Sequence, residues 1–128
     1  MRIELQTHQR NEPVDITSQV AEAVRDSGVQ EGICYLYCPH TTAGLFINEN
    51  ADPSVVRDIF DKLNELVPHS RAHHHLEGNA DSHIKSSIIG CSLLIPVEDG
   101  KLALGRWQGI FFAEFDGPRN RQVIVNVK

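Results

Sequence analysis

The sequence predicts an α+β fold: a single domain, mainly antiparallel packed β-sheets, with two longer helices and one short helix. Three observations predict it. Short apolar runs rich in β-branched and aromatic residues recur from Ile3 to Val127. In the second half, turn signals at Glu98-Asp99-Gly100 and Asp116-Gly117-Pro118 separate these runs, with no room for crossover helices. Only the stretches after Asp15 and after Asp52 keep apolar helical spacing over three turns or so. A chain of 128 residues is expected to be one domain, 1–128, with a single core.

Each element has its own justification. Ile3 and Leu5 alternate with polar neighbours and open the first strand. A helix over 15–25 follows, with Ile16, Val20, Ala23 and Val24 on one face; Asp15 or Thr17 can cap it and Gly28 can end it. A strand at 33–38 leads through the polar turn His40-Thr41-Thr42 to a short strand at 44–47. Residues 48–52 read as a polar helix entrance, with Asp52 as N-cap and Pro53 at the first helical position. Val56, Ile59, Phe60, Leu63 and Val67 then keep helical register until Pro68. Beyond a histidine-rich loop, Asp81 is expected to cap a short helix that carries Ile84 and Ile88 and ends at Gly90. Strands at 91–95, 101–104, 110–115 and 122–127 complete the chain.

Composition narrows the function. A net charge of −5 argues against a nucleic-acid surface, which needs a basic face. No apolar run approaches the ~18 residues of a membrane span, and the N-terminus lacks a signal-peptide core. A cytoplasmic protein is expected. An odd number of cysteines, three, is consistent with reduced thiols. Cys34 and Cys38 lie four residues apart on a strand, roughly 13 Å, too far for one metal or a disulfide. They are expected to be buried and inert.

The chemistry concentrates in histidines. Five of seven (His69, His73, His74, His75, His83) fall within 69–83, interleaved with Glu77 and Asp81. Imidazole is the commonest side-chain ligand for transition metals, so the cluster suggests a metal-dependent site. Hydrogen bonding of loop histidines to Asp and Glu is the alternative.

Three blocks carry a family resemblance: His40-Thr41-Thr42-Ala43-Gly44-Leu45 running into Asn48-Glu49-Asn50-Ala51-Asp52-Pro53; Asp81-Ser82-His83-Ile84-Lys85-Ser86-Ser87; and Trp107-Gln108-Gly109-Ile110 with Glu114-Phe115-Asp116-Gly117-Pro118-Arg119. In colinear order they resemble the YjbQ family, small proteins described as secondary thiamine-phosphate synthases. The resemblance implies a homotrimer and a weak activity joining a pyrimidine diphosphate to a thiazole phosphate with release of pyrophosphate. Two residues depart from the family pattern: Arg106 before Trp107, and His75 after the loop histidine.

Aligned on Glu77-Gly78, the family's loop histidine corresponds to His74. The expected metal ligands are then His40, His74 and His83, holding a divalent metal, zinc by preference, with magnesium a candidate for a diphosphate substrate. Glu49 can act as general base, or serve as a capping carboxylate. Asp81 can orient His83 or cap its helix. Glu114 is a further carboxylate candidate, and Trp107, alone of its kind, can stack on a flat ring or pack in an oligomer. Thr41, Asn48 and Asn50 can hydrogen-bond substrate. Lys85 and Ser86, after the helix start, and Arg119 can hold a phosphate, against the alternative of solvated surface charges. The expected partner is a small phosphorylated molecule. A metal-dependent hydrolase and a non-catalytic metal- or ligand-binding trimer are the rival readings.

Overall fold

A computed structural model describes residues 1–70 and 78–128. Among them the elements run β1 (Arg2–Gln6), β2 (Glu12–Asp15), α1 (Thr17–Ser27), β3 (Gly32–Tyr37), β4 (Ala43–Glu49), α2 (Pro53–Leu66), α3 (Ala80–Ile89), β5 (Ser92–Glu98), β6 (Lys101–Leu102), β7 (Gln108–Glu114) and β8 (Asn120–Val127). All pairings are antiparallel and form two sheets: a five-stranded one ordered β1-β8-β3-β5-β6 and a three-stranded one ordered β2-β7-β4.

Strand alternation decides which faces meet. Cys34 and Leu36 of β3, Ile95 and Val97 of β5, and Val123 and Val125 of β8 point inward from the large sheet. They close on Leu45, Ile110 and Phe112 of the small sheet and on Ile16, Val20 and Val24 of α1. The odd residues of β7 do the opposite. Phe111 and Ala113 face α2, where Val56, Phe60 and Leu63 cover them together with Phe115. From Gly109 to Glu114 β7 is therefore buried on both faces, between two cores. The large sheet's other face carries exposed Ile33, Tyr35, Tyr37 and Leu94.

Caps follow the sequence in part. Asp52 accepts from the Ser54 backbone N–H at 2.9 Å with Pro53 at the first position of α2, as expected. Gly28 ends α1 at φ 71°, a left-handed position that glycine adopts without Cβ strain. At the start of α1 the boundary residue is Ile16, and Asp15 accepts from the Thr17 N–H at 2.9 Å. Asp81 is not the cap of α3. The boundary residue there is Asn79, and Asp81 lies inside the first turn, fully buried.

Other expectations shift for local reasons. β2 is not legible in Glu12-Pro13-Val14-Asp15, because it is short and contains proline; it survives as the edge partner of β7. β5 continues through Pro96 to Glu98. β4 extends to Glu49, so Asn48 and Glu49 belong to a strand paired with Gly109 and Gln108 rather than to a helix entrance. β6 stops at Leu102, where residues to 104 were expected. Gly44 marks a close approach: a Cβ there would lie 2.6 Å from the Gly90 carbonyl oxygen, so α3 closes directly onto β4.

Candidate functional site

A cavity of about 540 Å³ opens between α2 and the edge of the small sheet. Phe60 and Phe111 give it apolar walls, supported by stacking of Phe111 on Phe46 at 5.2 Å and of Phe60 on Phe115 at 5.6 Å. Its polar lining comes from three places: Asn11 and Asp15 around β2, Glu49 and Asn50 at the end of β4, and Arg57, Asp61 and Asn64 along α2. The last three recur at helical spacing, so one face of α2 supplies them. Asp15 is already committed, accepting from Thr17 and from Asn50 Nδ2 at 3.1 Å. Burial would raise its pKa, but these hydrogen bonds hold it below the ordinary carboxylate value.

Behind this wall lies a charged group in which Asp81 and Lys85 are buried and Arg10 is partly exposed. Arg10 donates to both oxygens of Asp81 at 2.9 and 3.1 Å. Lys85, only 1% exposed, sits with Nζ 3.9 Å from Asp81. Nζ also donates to Asn11 Oδ1 at 3.2 Å and to Asn64 Oδ1. Burial pushes the Lys85 pKa down against the pull of Asp81. Burial would raise that of Asp81, yet the Arg10 hydrogen bonds and the charges of Arg10 and Lys85 hold it low. Arg10, Asp81 and Lys85 thus form one charged group, with Asp116 also within electrostatic reach of Arg10.

A second buried group surrounds His40. Glu114 is fully buried, accepting from Arg121 Nε at 2.8 Å, Arg121 Nη2, Thr7 Oγ1 at 2.7 Å and the Asp116 N–H at 3.0 Å. Arg121 also donates to Thr42 Oγ1 at 2.8 Å. His40 Nε2 accepts from the Gln122 backbone N–H at 3.0 Å, which places the proton on Nδ1. Burial, then the charge of Arg121, holds the imidazole pKa below its ordinary value.

The expected site residues therefore do not form one constellation. Glu49 and Asn50 reach the cavity; Asn48 instead accepts from the Glu49 N–H at 2.7 Å. Lys85 stands directly behind the cavity wall, not on a solvated helix face. Asp81 pairs with Arg10 rather than orienting His83. The acceptor capacity of Glu114 is filled, which leaves it a structural ion pair. Ser86 is also committed, donating to the Ala43 carbonyl at 2.7 Å. Arg119 pairs with Asp116 at 2.9 Å on the surface, whereas Arg121 is buried. Thr41 is exposed beside His40. Trp107 is exposed with the Arg106 guanidinium 4.9 Å over its ring, and its carbonyl accepts from the Asn50 N–H at 3.1 Å.

His74, with His73, His75 and Glu77, lies outside the described residues. Among the described residues no three His, Cys, Asp or Glu side chains gather as a metal site. His40, with Nε2 on Gln122, does not present a lone pair as it stands. At the start of α3, Asn79 Oδ1 is buried and without a hydrogen-bond partner among the described residues. Reading the sequence missed Arg10, Asn11, Arg57 and Asn64. They are polar residues in polar stretches, and only the packing of α2 and α3 brings them to one cavity.

The fold is thus a two-sheet α+β domain with a polar cavity between a helix and a sheet edge. The family described as UPF0047 protein YjbQ-like matches residues 1–128, and the chain belongs to that family. It is 54% identical over 126 residues to a UPF0047 protein of Methanocaldococcus jannaschii, covering 98% of this chain and 91% of that one. The UPF0047 protein YugU of Bacillus subtilis is 44% identical over 126 residues, covering 98% of this chain and 96% of its own. A YjbQ/UPF0047 family crystal structure from Clostridium acetobutylicum superposes with a TM-score of 0.97 at 49% identity, covering 100% and 99% of the two chains. A YbjQ-like protein of unknown function from Sulfolobus solfataricus gives 0.95 at 37%, covering 99% and 94%. Among the described residues no helix is long and apolar enough to cross a membrane.

Proposed function

We propose that this protein is a small-molecule transferase with weak thiamine-phosphate-synthase-like activity, working in the cavity between α2 and the small sheet. The observation that carries the reading is the cavity's composition. Phenylalanine walls suit flat rings, and Arg57, with Lys85 behind the wall, suits a phosphate held away from the carboxylates of Asp15, Glu49 and Asp61. In the reaction a C–N bond forms between the thiazole nitrogen and the pyrimidine methylene. The C–O bond to pyrophosphate breaks, and its electron pair leaves with the pyrophosphate. Such a step needs orientation and charge stabilisation more than a nucleophilic residue. Glu49 and Asn50 position the rings, and Arg57 faces the departing charge.

A divalent metal, zinc by preference and magnesium as the diphosphate-bound alternative, is part of the proposal. His83 and His74 would hold it, with His40 joining through Nδ1 only if the ring proton moved to Nε2 and the Gln122 hydrogen bond were given up. Bound by those histidines, the metal would supply a Lewis acid. Metal content of untagged protein tests this separately: near one zinc per chain, lost in His74→Ala and His83→Ala, supports it, and no uptake on adding zinc ends it. A homotrimer is proposed as well, its contact the exposed apolar face of the large sheet. Incubation with both substrates tests the reaction. Thiamine phosphate in proportion to enzyme, lost in Arg57→Ala, supports the transferase; no product at high enzyme concentration removes it.

A further inference from the structure

β3 and β5 bring together two cysteines that lie far apart in the chain. Their pairing sets Cys34 opposite Ile95 and Leu36 opposite Leu93, all on the inward face of the large sheet. Carried one step past Tyr37 and Ser92, the register sets Cys38 opposite Cys91, and the Cys38 backbone N–H donates to the Cys91 carbonyl at 2.7 Å. By strand alternation both side chains leave the sheet on that same face. Residues opposed across a hydrogen-bonded pair have Cα atoms about 5.5 Å apart, inside the range a disulfide spans. The two thiols also lie within electrostatic reach of each other. Their access to solvent differs: Cys38 is 1% exposed at the end of the core, whereas Cys91 is open. Cys34, the third thiol, is buried against the core farther along β3.

We infer that Cys91 and Cys38 form a redox-modification site, in which Cys91 captures a small-molecule disulfide from solvent and Cys38 resolves it into a reversible cross-strand bond between β3 and β5. In the first step the Cys91 thiolate attacks one sulfur of the small disulfide, forming a mixed disulfide and releasing one thiolate. The Cys38 sulfur then attacks Cys91 Sγ, and the second small thiolate leaves. Two protein thiols are oxidised, one small disulfide is reduced to two thiols, and the two protons pass to those thiols. The reagent meets Cys91 alone; Cys38 meets only Cys91. Opposed Cβ atoms on paired strands stand about 4.5–5.5 Å apart, wider than the ~3.8 Å of a relaxed disulfide. The bond therefore closes under strain, and a strained disulfide is easily reduced. Once closed, it encloses β4, α2 and α3 in one covalent loop.

The test reads thiols by mass and needs no activity. The reduced, untagged chain is incubated with oxidised glutathione and quenched in acid, and its remaining thiols are alkylated in denaturant. The expected product has one alkylated thiol, Cys34, and a linked Cys38–Cys91 peptide without retained glutathione; dithiothreitol should restore all three thiols. Cys38→Ala should stop at one glutathione on Cys91, and Cys91→Ala should take up none. If Cys38→Ala fails to fold, phenylarsine oxide on the native wild-type chain decides, because its arsenic bonds two thiols at once. One arsenical per chain, blocked by prior oxidation, supports the pair, and no uptake overturns it. The inference also falls if the wild-type chain keeps glutathione on Cys91 with Cys38 free, links Cys91 to a second chain, or leaves Cys91 unmodified.

Discussion

Arg121 and Glu114 are the residues on which a single change should cost most. Both are buried, and removing one partner leaves a charge in the core without its counter-ion. Arg121→Met should destabilise by about 3–5 kcal/mol in urea unfolding, while the double change with Glu114→Gln should recover part of that. Burial would raise the Glu114 pKa, but the Arg121 hydrogen bonds, then Thr7, hold it below 4.5. Its contribution is therefore present above that pH and lost as pH falls through the folded value. His40 acts earlier. The folded chain resists protonating it and the unfolded chain does not, so stability should start to fall as pH drops through 6.5. His40→Gln should flatten that part of the stability–pH curve, and an unchanged curve would contradict the assignment. Thiols are graded too. Burial pushes Cys34 and Cys38 up to about 11, while Cys91 is exposed. One thiol per native chain should react with a disulfide reagent, and three after denaturation.

At the scale of elements, the close approach of α3 to β4 is the tightest constraint. Gly44→Ala places a methyl 2.6 Å from the Gly90 carbonyl and should cost about 1–3 kcal/mol, measurable as a shifted urea midpoint. Asp52→Ala removes the cap of α2 and should lower the urea midpoint. Much at this scale was legible. The periodicity from Val56 to Leu63, the Asp52-Pro53 start and the Gly28 stop are local signals, and the structure agrees with them. Asp81 shows why the rest was not. Its place before Ile84 and Ile88 imitates a cap, but its partner, Arg10, is 71 residues away. Nothing local announces such a pairing. Lys85, Asn11 and Asn64 meet for the same long-range reason. The antiparallel frame could be read from alternation and turns; the cavity could not, because it is made by the crossing of α2 over a sheet edge.

At the scale of the whole molecule, the uncovered face of the large sheet bears on assembly. Leu94 is 62% exposed beside Ile33 and Tyr35 on a face that the fold itself does not cover. Leu94→Glu with Tyr35→Lys should convert the proposed trimer to monomers in light scattering, leaving the helical signal of the fold unchanged; a trimer that persists would move the interface elsewhere, and a monomeric wild type would remove the trimer. The other whole-molecule feature is β7, held between the two cores. A strand that belongs to both cannot be released by loosening either one. The amides of Ile110 to Ala113 should therefore exchange with solvent deuterium only through global opening, at the full unfolding free energy. The cavity beside Phe111 is then built on the slowest-opening strand of the domain: α2 can breathe above a ligand while the floor beneath keeps its shape.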